Sequence, residues 1–225
     1  MRASYIIFPL LLLAACRPPP APTPPAPQPQ PKTAMPTATP AAKTETLVLA
    51  GGCFWCVEGV YRQLKGVTDA KSGYAGGTRE TANYQAVCAH TTAHAEVVRL
   101  TFDPKVCPPE RIYEVFFTIA HDPTTLNRQG NDAGTQYRSS IFFADDAQKA
   151  EAQKQIEKFQ PMHGGKIVTK LEDLRLTPFY PAEDYHQDYV GQYEAGVPLG
   201  GAGYLECTAL PKIEKLRAKH PDWCN

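Results

Sequence analysis

The spacing of apolar and polar positions divides the chain into short strands separated by amphipathic helices. Apolar or alternating runs predict strands at residues 46–50, 67–74, 95–102, 137–144 and 166–171. Helical spacing predicts helices at residues 53–64, from 108 onward, and from a cap at Asp145 or Asp146 to about 160. Because helices interleave with four or five strands, we expect an α+β fold, in which helices pack on one mixed sheet as a two-layer sandwich.

The same pattern identifies core-facing helix positions and two long polar segments. In the helix from residue 108, the apolar positions Ile112, Val115, Phe116 and Ile119 recur at helical spacing and should face the core. Two long segments, residues 73–93 and 121–136, are mainly polar, and loops of that length usually hold function. After residue 171 we expect loops and short helices rich in Gly, Pro and Tyr.

The first 43 residues differ in composition from the rest. Residues 1–16 have a basic start, a long apolar run and the small-residue end Leu13-Ala14-Ala15-Cys16, which is typical of an export signal. A cysteine directly after that end resembles the lipidation site of bacterial lipoproteins; the alternative is an ordinary signal with an incidental cysteine. Residues 17–43 contain 11 of the 22 prolines and no acidic residue, which predicts an extended tether. We therefore expect a protein exported to the periplasm or cell exterior and anchored to a bacterial membrane through Cys16.

The remaining residues, 44–225, have the length of one domain with a sizeable core. Without the four basic residues of the N-terminal segment, the domain has 19 basic and 23 acidic residues, a charge of about −4. This balance argues against a nucleic-acid surface, and we expect a monomer. No second apolar run has the length of a membrane-spanning helix.

Two cysteines three residues apart are the most specific chemical feature. Cys53 and Cys56 follow the pair Gly51-Gly52, which lets a buried strand turn sharply into a helix. A cysteine at a helix start meets free backbone N–H groups and the positive end of the helix dipole, which favour the reactive thiolate. The pattern predicts thiol redox chemistry.

Four motifs in order extend this prediction: Gly52-Cys53-Phe54-Trp55, Gly73-Tyr74-Ala75-Gly76-Gly77, His94-Ala95-Glu96-Val97, and Gly130-Asn131-Asp132-Ala133-Gly134-Thr135-Gln136-Tyr137-Arg138-Ser139. With them the chain resembles the A-type peptide methionine sulfoxide reductases over residues 46–205. The resemblance implies a ferredoxin-like sheet. It also implies reduction of methionine-(S)-sulfoxide, free or in proteins, without a cofactor.

The resemblance assigns roles around the sulfoxide. Cys53 would attack the sulfur and become a sulfenic acid. Glu96 would donate a proton to the oxygen, which at neutral pH needs a pKa raised by burial. The hydroxyls of Tyr84 and Tyr137 would hold the oxygen. Two further contributions complete the site: Asp132 would help to order it, and Phe54 with Trp55 would hold the methyl group.

The sulfenic acid needs a second thiol. Cys56 lies one helical turn from Cys53, so its proximity requires no loop closure. Many family members have glycine at this position and use C-terminal cysteines, and here Cys207 and Cys224 are also available. We favour Cys56. Thioredoxin or a similar envelope dithiol would then reduce the disulfide.

Some features depart from the family or stay open. Residues 89–94 lack two glycines of the usual motif, so His90 or Ala93 could be strained, although we expect Glu96 to keep its place. We expect Cys88 to be unpaired, with Cys107, Cys207 and Cys224 available for a structural or second relay bond. His94, His121 and His186 have no metal-site spacing, so we interpret them as hydrogen-bonding or surface residues.

Two other functions compete with sulfoxide reduction. A general thiol–disulfide oxidoreductase would use Cys53 and Cys56 but would not need Glu96 or an aromatic pocket. A noncatalytic envelope lipoprotein that binds proteins in a methionine-like groove would need neither thiol.

Overall fold

The computed structural model describes residues 43–225 of the 225-residue chain. The predicted signal segment with Cys16 and the tether, apart from Lys43, lie outside the described residues. Among residues 43–225, no helix combines the length and the apolar character that crossing a bilayer requires.

Eight strands and six helices make up this part of the chain. The strands are β1 (Glu45–Gly51), β2 (Val67–Ala75), β3 (Ala95–Phe102), β4 (Arg128–Gln129), β5 (Asp132–Ala133), β6 (Ser139–Phe143), β7 (Lys170–Asp173) and β8 (Tyr180–Pro181). The helices are α1 (Phe54–Tyr61), α2 (Tyr84–Cys88), α3 (Pro109–Val115), α4 (Asp146–Phe159), α5 (Tyr189–Glu194) and α6 (Ala202–Lys219). A π-helical turn, Phe116–Ala120, continues α3.

Six strands form one mixed sheet in the order β7-β6-β1-β3-β2-β8. The four inner strands are antiparallel to one another and β8 is antiparallel to β2, whereas β7 runs parallel to β6. Along the chain these inner strands form the unit β1-α1-β2-β3-α3-β6, and its spatial order β6-β1-β3-β2 is the ferredoxin-like arrangement. The prediction of a mixed sheet with packed helices is confirmed.

The two faces of β1 explain the layering. Its alternate residues Leu47 and Leu49 lie in the large core between sheet and helices, whereas Val48 and Ala50 lie in a small apolar cluster on the opposite face. The predicted core positions of α3 and its extension are buried, and Asp145 caps α4 by accepting from the backbone N–H of Gln148.

Several predicted boundaries were wrong where tertiary contacts take over. The first helix ends at Tyr61 rather than at residue 64, because Leu64 pairs with Cys224 in an isolated bridge. Residues 135–137 form a 3-10 turn, so β6 begins only at Ser139. The strand predicted at 166–171 is β7, at Lys170–Asp173, and it is not the last strand of the sheet.

The largest error concerns α6, an 18-residue helix where short helices were predicted. Pro211 lies inside it, and an internal proline removes a hydrogen bond and typically costs about 3 kcal/mol. The helix persists because one face packs in the core against α1. The buried residues of that face recur at helical spacing: Leu205, Ala209, Ile213 and Leu216.

Gly52 sets the sharp turn from β1 into α1. Its φ is +90°, and a Cβ atom at this position would lie 2.5 Å from Cγ of Gln129. A side chain at residue 52 would therefore meet both backbone strain and a collision. This turn directs Cys53, the N-cap of α1, toward the strand that carries Glu96.

Candidate active site

A cavity of about 280 Å³ collects residues from five parts of the chain. Its walls are Cys53, Phe54, Trp55, Tyr84, Glu96, Asp132, Tyr137 and Tyr204. Seven of these eight residues were predicted from the sequence. The eighth, Tyr204, was missed because it lies on α6, although the apolar spacing of that helix was a signal that could have found it.

Glu96 supplies a buried carboxyl group to the wall of this cavity. It lies on β3 with 2% of its surface exposed, and it accepts a hydrogen bond of 3.0 Å from the backbone N–H of Phe54. Burial raises its pKa to about 8, against the opposing effect of the Phe54 hydrogen bond, and the negative charges of Asp132 and Cys56 raise it further. Glu96 is therefore mainly protonated at neutral pH and can donate.

The expectation that the helix start lowers the pKa of Cys53 was wrong. Burial raises the pKa of this thiol well above its ordinary value, and its contacts with Cys56 and the charge of Glu96 act in the same direction. The first backbone N–H of α1, that of Phe54, points to Glu96 rather than to the Cys53 sulfur. Cys53 therefore rests as a thiol.

Cys56 is the more acidic thiol of the pair. Its interaction with the Cys53 thiol is the main reason that the pKa of Cys56 is lowered to about 6, although burial opposes the shift. The Cys56 Sγ atom also lies 3.4 Å from Oγ1 of Thr208 and 4.0 Å from the hydroxyl of Tyr204. Of the two neighbouring thiols, Cys56 therefore gives up its proton more readily than Cys53.

Two tyrosine hydroxyls line the cavity near these groups. Burial raises the pKa of Tyr84 and of Tyr137, so both hydroxyls stay protonated and can donate hydrogen bonds. Glu183 fixes the backbone of Tyr84 by accepting from its N–H at 2.9 Å. Tyr137 follows Gly134, whose φ of +144° allows the chain to turn into the cavity wall.

An aromatic cluster holds Trp55. Its ring stacks on Tyr189 with centroids 3.9 Å apart, and its Nε1–H donates to Nδ1 of His186 at 3.0 Å. Burial lowers the pKa of His186 to about 4, so the ring is neutral and can accept this bond. His94, His121 and His186 are all buried; their interpretation as hydrogen-bonding residues is confirmed, and the surface alternative was wrong.

Asp132 lies in the small hairpin of β4 and β5 and accepts a hydrogen bond from the Tyr204 hydroxyl. This contact joins the predicted polar loop to α6. Tyr204 also lines a second, larger cavity of about 480 Å³, which shares Cys53, Asp132 and Tyr204 with the first and adds Cys56. The residues of this second cavity are Cys53, Cys56, Gln129, Gly130, Asn131, Asp132, Tyr204, Cys207, Thr208, Pro211 and Lys212.

The other cysteines occupy different environments. Cys207 is exposed and lines the second cavity, whereas Cys224 is buried beside Leu64 and is absent from the walls of both cavities. All six cysteines within residues 43–225 are free thiols, so the bond considered among Cys107, Cys207 and Cys224 is not formed. The same residues contain no cluster of His, Cys, Asp and Glu side chains suited to a metal ion.

The loop before Glu96 adapts to its missing glycines at one position. His90 takes the left-handed conformation with φ +58°, whereas Ala93 does not. The imidazole Nδ1 of His90 forms a 3.1 Å hydrogen bond with Oε1 of Gln136, which ties this loop to the segment before β6. Glu96 keeps its expected place in the site.

Comparison with known proteins gives a consistent result. The family model described as "Peptide methionine sulfoxide reductase" matches residues 45–216. The "Peptide methionine sulfoxide reductase MsrA" of Arthrobacter sp. (strain FB24) is 45% identical over 181 residues, which cover 80% of this chain and 99% of that protein. The protein of the same name from Pasteurella multocida (strain Pm70) is 46% identical over 176 residues, covering 78% and 96%.

Solved structures agree. The reduced form of Mxr1 from Saccharomyces cerevisiae is 40% identical, with a TM-score of 0.64 over 71% of this chain and 91% of that one. Methionine sulfoxide reductase A of Corynebacterium diphtheriae is 34% identical, with a TM-score of 0.62 over 69% and 77%.

Proposed function

This chain belongs to the peptide methionine sulfoxide reductase family and reduces methionine sulfoxide, and we propose that it acts on the S epimer through Cys53, Glu96 and Cys56. The observation that carries this proposal is the buried acid Glu96 in the same cavity as a cysteine that starts a helix. A general thiol–disulfide oxidoreductase would not need an acid with a pKa near 8 in an aromatic pocket.

In the first step the Cys53 sulfur attacks the sulfoxide sulfur while Glu96 protonates the oxygen. The proton leaving Cys53 has an acceptor in Cys56, whose pKa is lowered to about 6 chiefly by its interaction with Cys53. Cys53 forms a bond to the substrate sulfur, and the oxygen then passes to Cys53 as the thioether leaves. The products are methionine and a sulfenic acid, so the sulfoxide is reduced and the cysteine is oxidised by two electrons.

The pocket supplies the stereochemical preference. The hydroxyls of Tyr84 and Tyr137 donate to the oxygen beside Glu96, while Asp132 orders this polar side through Tyr204. Phe54 and Trp55 form the apolar wall that takes the methyl group. In the R epimer the oxygen and the methyl group would exchange positions. The oxygen would then lie against aromatic rings without a hydrogen-bond donor, which disfavours binding of this epimer.

In the second step the Cys56 thiolate attacks the sulfur of the sulfenic acid and expels hydroxide, which takes up a proton and leaves as water. The net reaction converts the sulfenic acid and one thiol into a disulfide and water. Cys207 is the competing thiol because it shares the second cavity with Cys53. An external dithiol such as thioredoxin then reduces the disulfide by exchange.

Replacing Cys56 by serine should separate these steps. Each protein molecule should still form one methionine from an S-sulfoxide peptide, more slowly because the proton acceptor is weaker. Steady-state turnover with a thioredoxin system should fall about tenfold or more, since the sulfenic acid lacks its neighbouring thiol. Methionine release, with and without reductant, gives both values, and the R epimer is the control. Full multiple turnover by Cys56→Ser would remove Cys56 from this role and favour Cys207.

We further propose that the protein is exported and held at a bacterial membrane by lipid on Cys16, where it repairs oxidised envelope proteins. The support is the sequence: an apolar segment that ends in Leu13-Ala14-Ala15-Cys16, followed by a proline-rich stretch without acids. Labelled palmitate supplied to expressing cells should enter the wild-type chain and should be lost from Cys16→Ala. Equal labelling of both would contradict the assignment of this residue.

A further inference from the structure

One face of α6 lies against Cys56 rather than against the sulfoxide pocket. Thr208 and Lys212, one helical turn apart, line the second cavity with Cys56 and are absent from the walls of the first. The Thr208 Oγ1 atom lies 3.4 Å from the Cys56 sulfur. Neither residue therefore contacts the place where the substrate oxygen binds.

We propose that Thr208 and Lys212 hold Cys56 as the nucleophile of the second step, so that they are positioning residues for disulfide formation. This inference rests on the proposed function, because it requires Cys56 to resolve the sulfenic acid. Lys212 supplies a positive charge on the cavity wall, and Thr208 supplies a hydroxyl within hydrogen-bond distance of the sulfur.

The two chemical steps place different demands on Cys56. Before the reaction, the interaction with the Cys53 thiol is the main cause of the lowered pKa of Cys56. Once Cys53 has become a sulfenic acid, that thiol no longer exists. The groups that still favour a thiolate at Cys56 are Lys212, Thr208 and Tyr204, all on α6. The helix face therefore matters most when the disulfide forms.

The hydroxyl of Thr208 can form a hydrogen bond with Cys56 both when Cys56 is a thiol and when it is a thiolate. Its hydroxyl donates to the backbone carbonyl of Tyr204 at 2.6 Å, and in that orientation its oxygen can accept from a Cys56 thiol. Rotation about the Cβ–Oγ1 bond would turn the same proton toward a Cys56 thiolate. A valine at this position keeps the shape of the side chain but lacks this donor.

The pH dependence involves every ionisable group that faces Cys56. These groups are Cys53 at the start of α1, Glu96 on β3, Asp132 on β5, and Tyr204, Cys207 and Lys212 on α6. Of these, only Lys212 is positive at neutral pH. Its removal should raise the pKa of Cys56 and shift the acid limb of disulfide formation to higher pH by about one unit, a roughly tenfold loss on that limb.

The test uses the reduced full-length protein mixed rapidly with an S-sulfoxide peptide in the absence of reductant. Methionine release reports the first step, and the loss of alkylatable thiols after an acid quench reports the second. We expect Lys212→Met and Thr208→Val to slow the second step about tenfold at neutral pH, where Cys56 no longer has the Cys53 thiol to lower its pKa. Methionine release at the same pH should change by less than about threefold, because the Cys53 thiol still lowers the pKa of Cys56 in the first step. Lys212→Arg should restore the rate and the pH profile.

Lys215→Met is the matched control, because it removes a positive charge from the same helix at a residue whose ammonium donates to the carbonyl of Thr118. Thermal unfolding of each variant separates a local effect from general loss of structure. An unchanged second step in Lys212→Met at every pH, or equal slowing in Lys215→Met, would overturn the inference. If Cys56→Ser still forms a disulfide between Cys53 and another cysteine at the wild-type rate, Cys56 is not the resolving thiol, and the proposed function fails instead.

Discussion

Replacing Cys53 by serine should abolish methionine sulfoxide reduction, with a loss of at least about 10⁴-fold in turnover. A serine hydroxyl does not form a stable bond to oxygen of the sulfenic type, so the oxygen of the substrate has no acceptor. The buried position also disfavours an alkoxide even more strongly than it disfavours the Cys53 thiolate. Methionine release from an S-sulfoxide peptide, with dithiothreitol present, measures the effect.

Cys88→Ser is the matched control for that substitution. Cys88 is half-buried at the end of α2 and lines neither the cavity that contains Cys53 nor the second cavity. The control should retain turnover within about threefold, because serine has nearly the same size as cysteine and the residue lines neither cavity. Residual turnover in Cys53→Ser near the level of this control would show that another thiol attacks the sulfoxide.

Replacing Glu96 by glutamine should lower the first chemical step by about 10²- to 10⁴-fold, the usual contribution of a general acid. Glutamine can still accept the hydrogen bond from Phe54 N–H, so the turn that holds Cys53 should be kept. Single-turnover methionine release measures this step. Titration of the thiols should give the same number of reactive groups as in the wild type.

The pH profile distinguishes loss of an acid from loss of shape. Attack requires Cys56 without its proton, so that it can accept the proton of Cys53, and Glu96 with its proton. The wild-type rate should therefore rise with pH as Cys56 ionises, near pH 6, and fall at the alkaline end as Glu96 ionises, near pH 8. Glutamine does not titrate, so the variant should lack the alkaline fall. An unchanged single-turnover rate, or an alkaline limb retained in Glu96→Gln, would contradict the assignment of Glu96 as the acid.

Glu96 also couples the chemistry to stability. Its folded-state pKa of about 8 lies above the ordinary value of 4.5, so its contribution to stability is present at low pH and lost as pH rises from about 4.5 through 8. The cost of this buried acid is about 3 kcal/mol at pH 7. Glu96→Gln should therefore unfold at a higher temperature than the wild type at pH 8 and should show little gain at pH 4.

The sequence was most informative where local pattern decides the outcome. The buried run of β1 and the glycine turn after it were predicted because both depend on neighbouring residues, and β3 was predicted with its observed bounds. The motifs that resemble the family placed Cys53, Glu96 and their partners in one cavity. These predictions required either short-range periodicity or a conserved family pattern.

Contacts between distant residues decided the rest. The raised pKa of Cys53 could not be predicted, because it depends on burial of the thiol by the folded chain and on the charge of Glu96, 43 positions later in the chain. Tyr204 was missed because the sequence of α6 contains Pro211 and follows glycines, a composition that does not predict a long helix. The helix forms because it packs on α1. The proposed role of Lys212 could not be predicted either, because only that packing brings Lys212 to the cavity beside Cys56.

The most direct test of the central claim is the product of one round without reductant. The reduced full-length protein is incubated separately with the S and R epimers of a sulfoxide peptide, and the alkylated protein is mapped by mass spectrometry. We predict one methionine per protein molecule from the S epimer, none from the R epimer, and a disulfide between Cys53 and Cys56. Consumption of the S epimer without a bond to Cys53, or no consumption at all, would contradict the account.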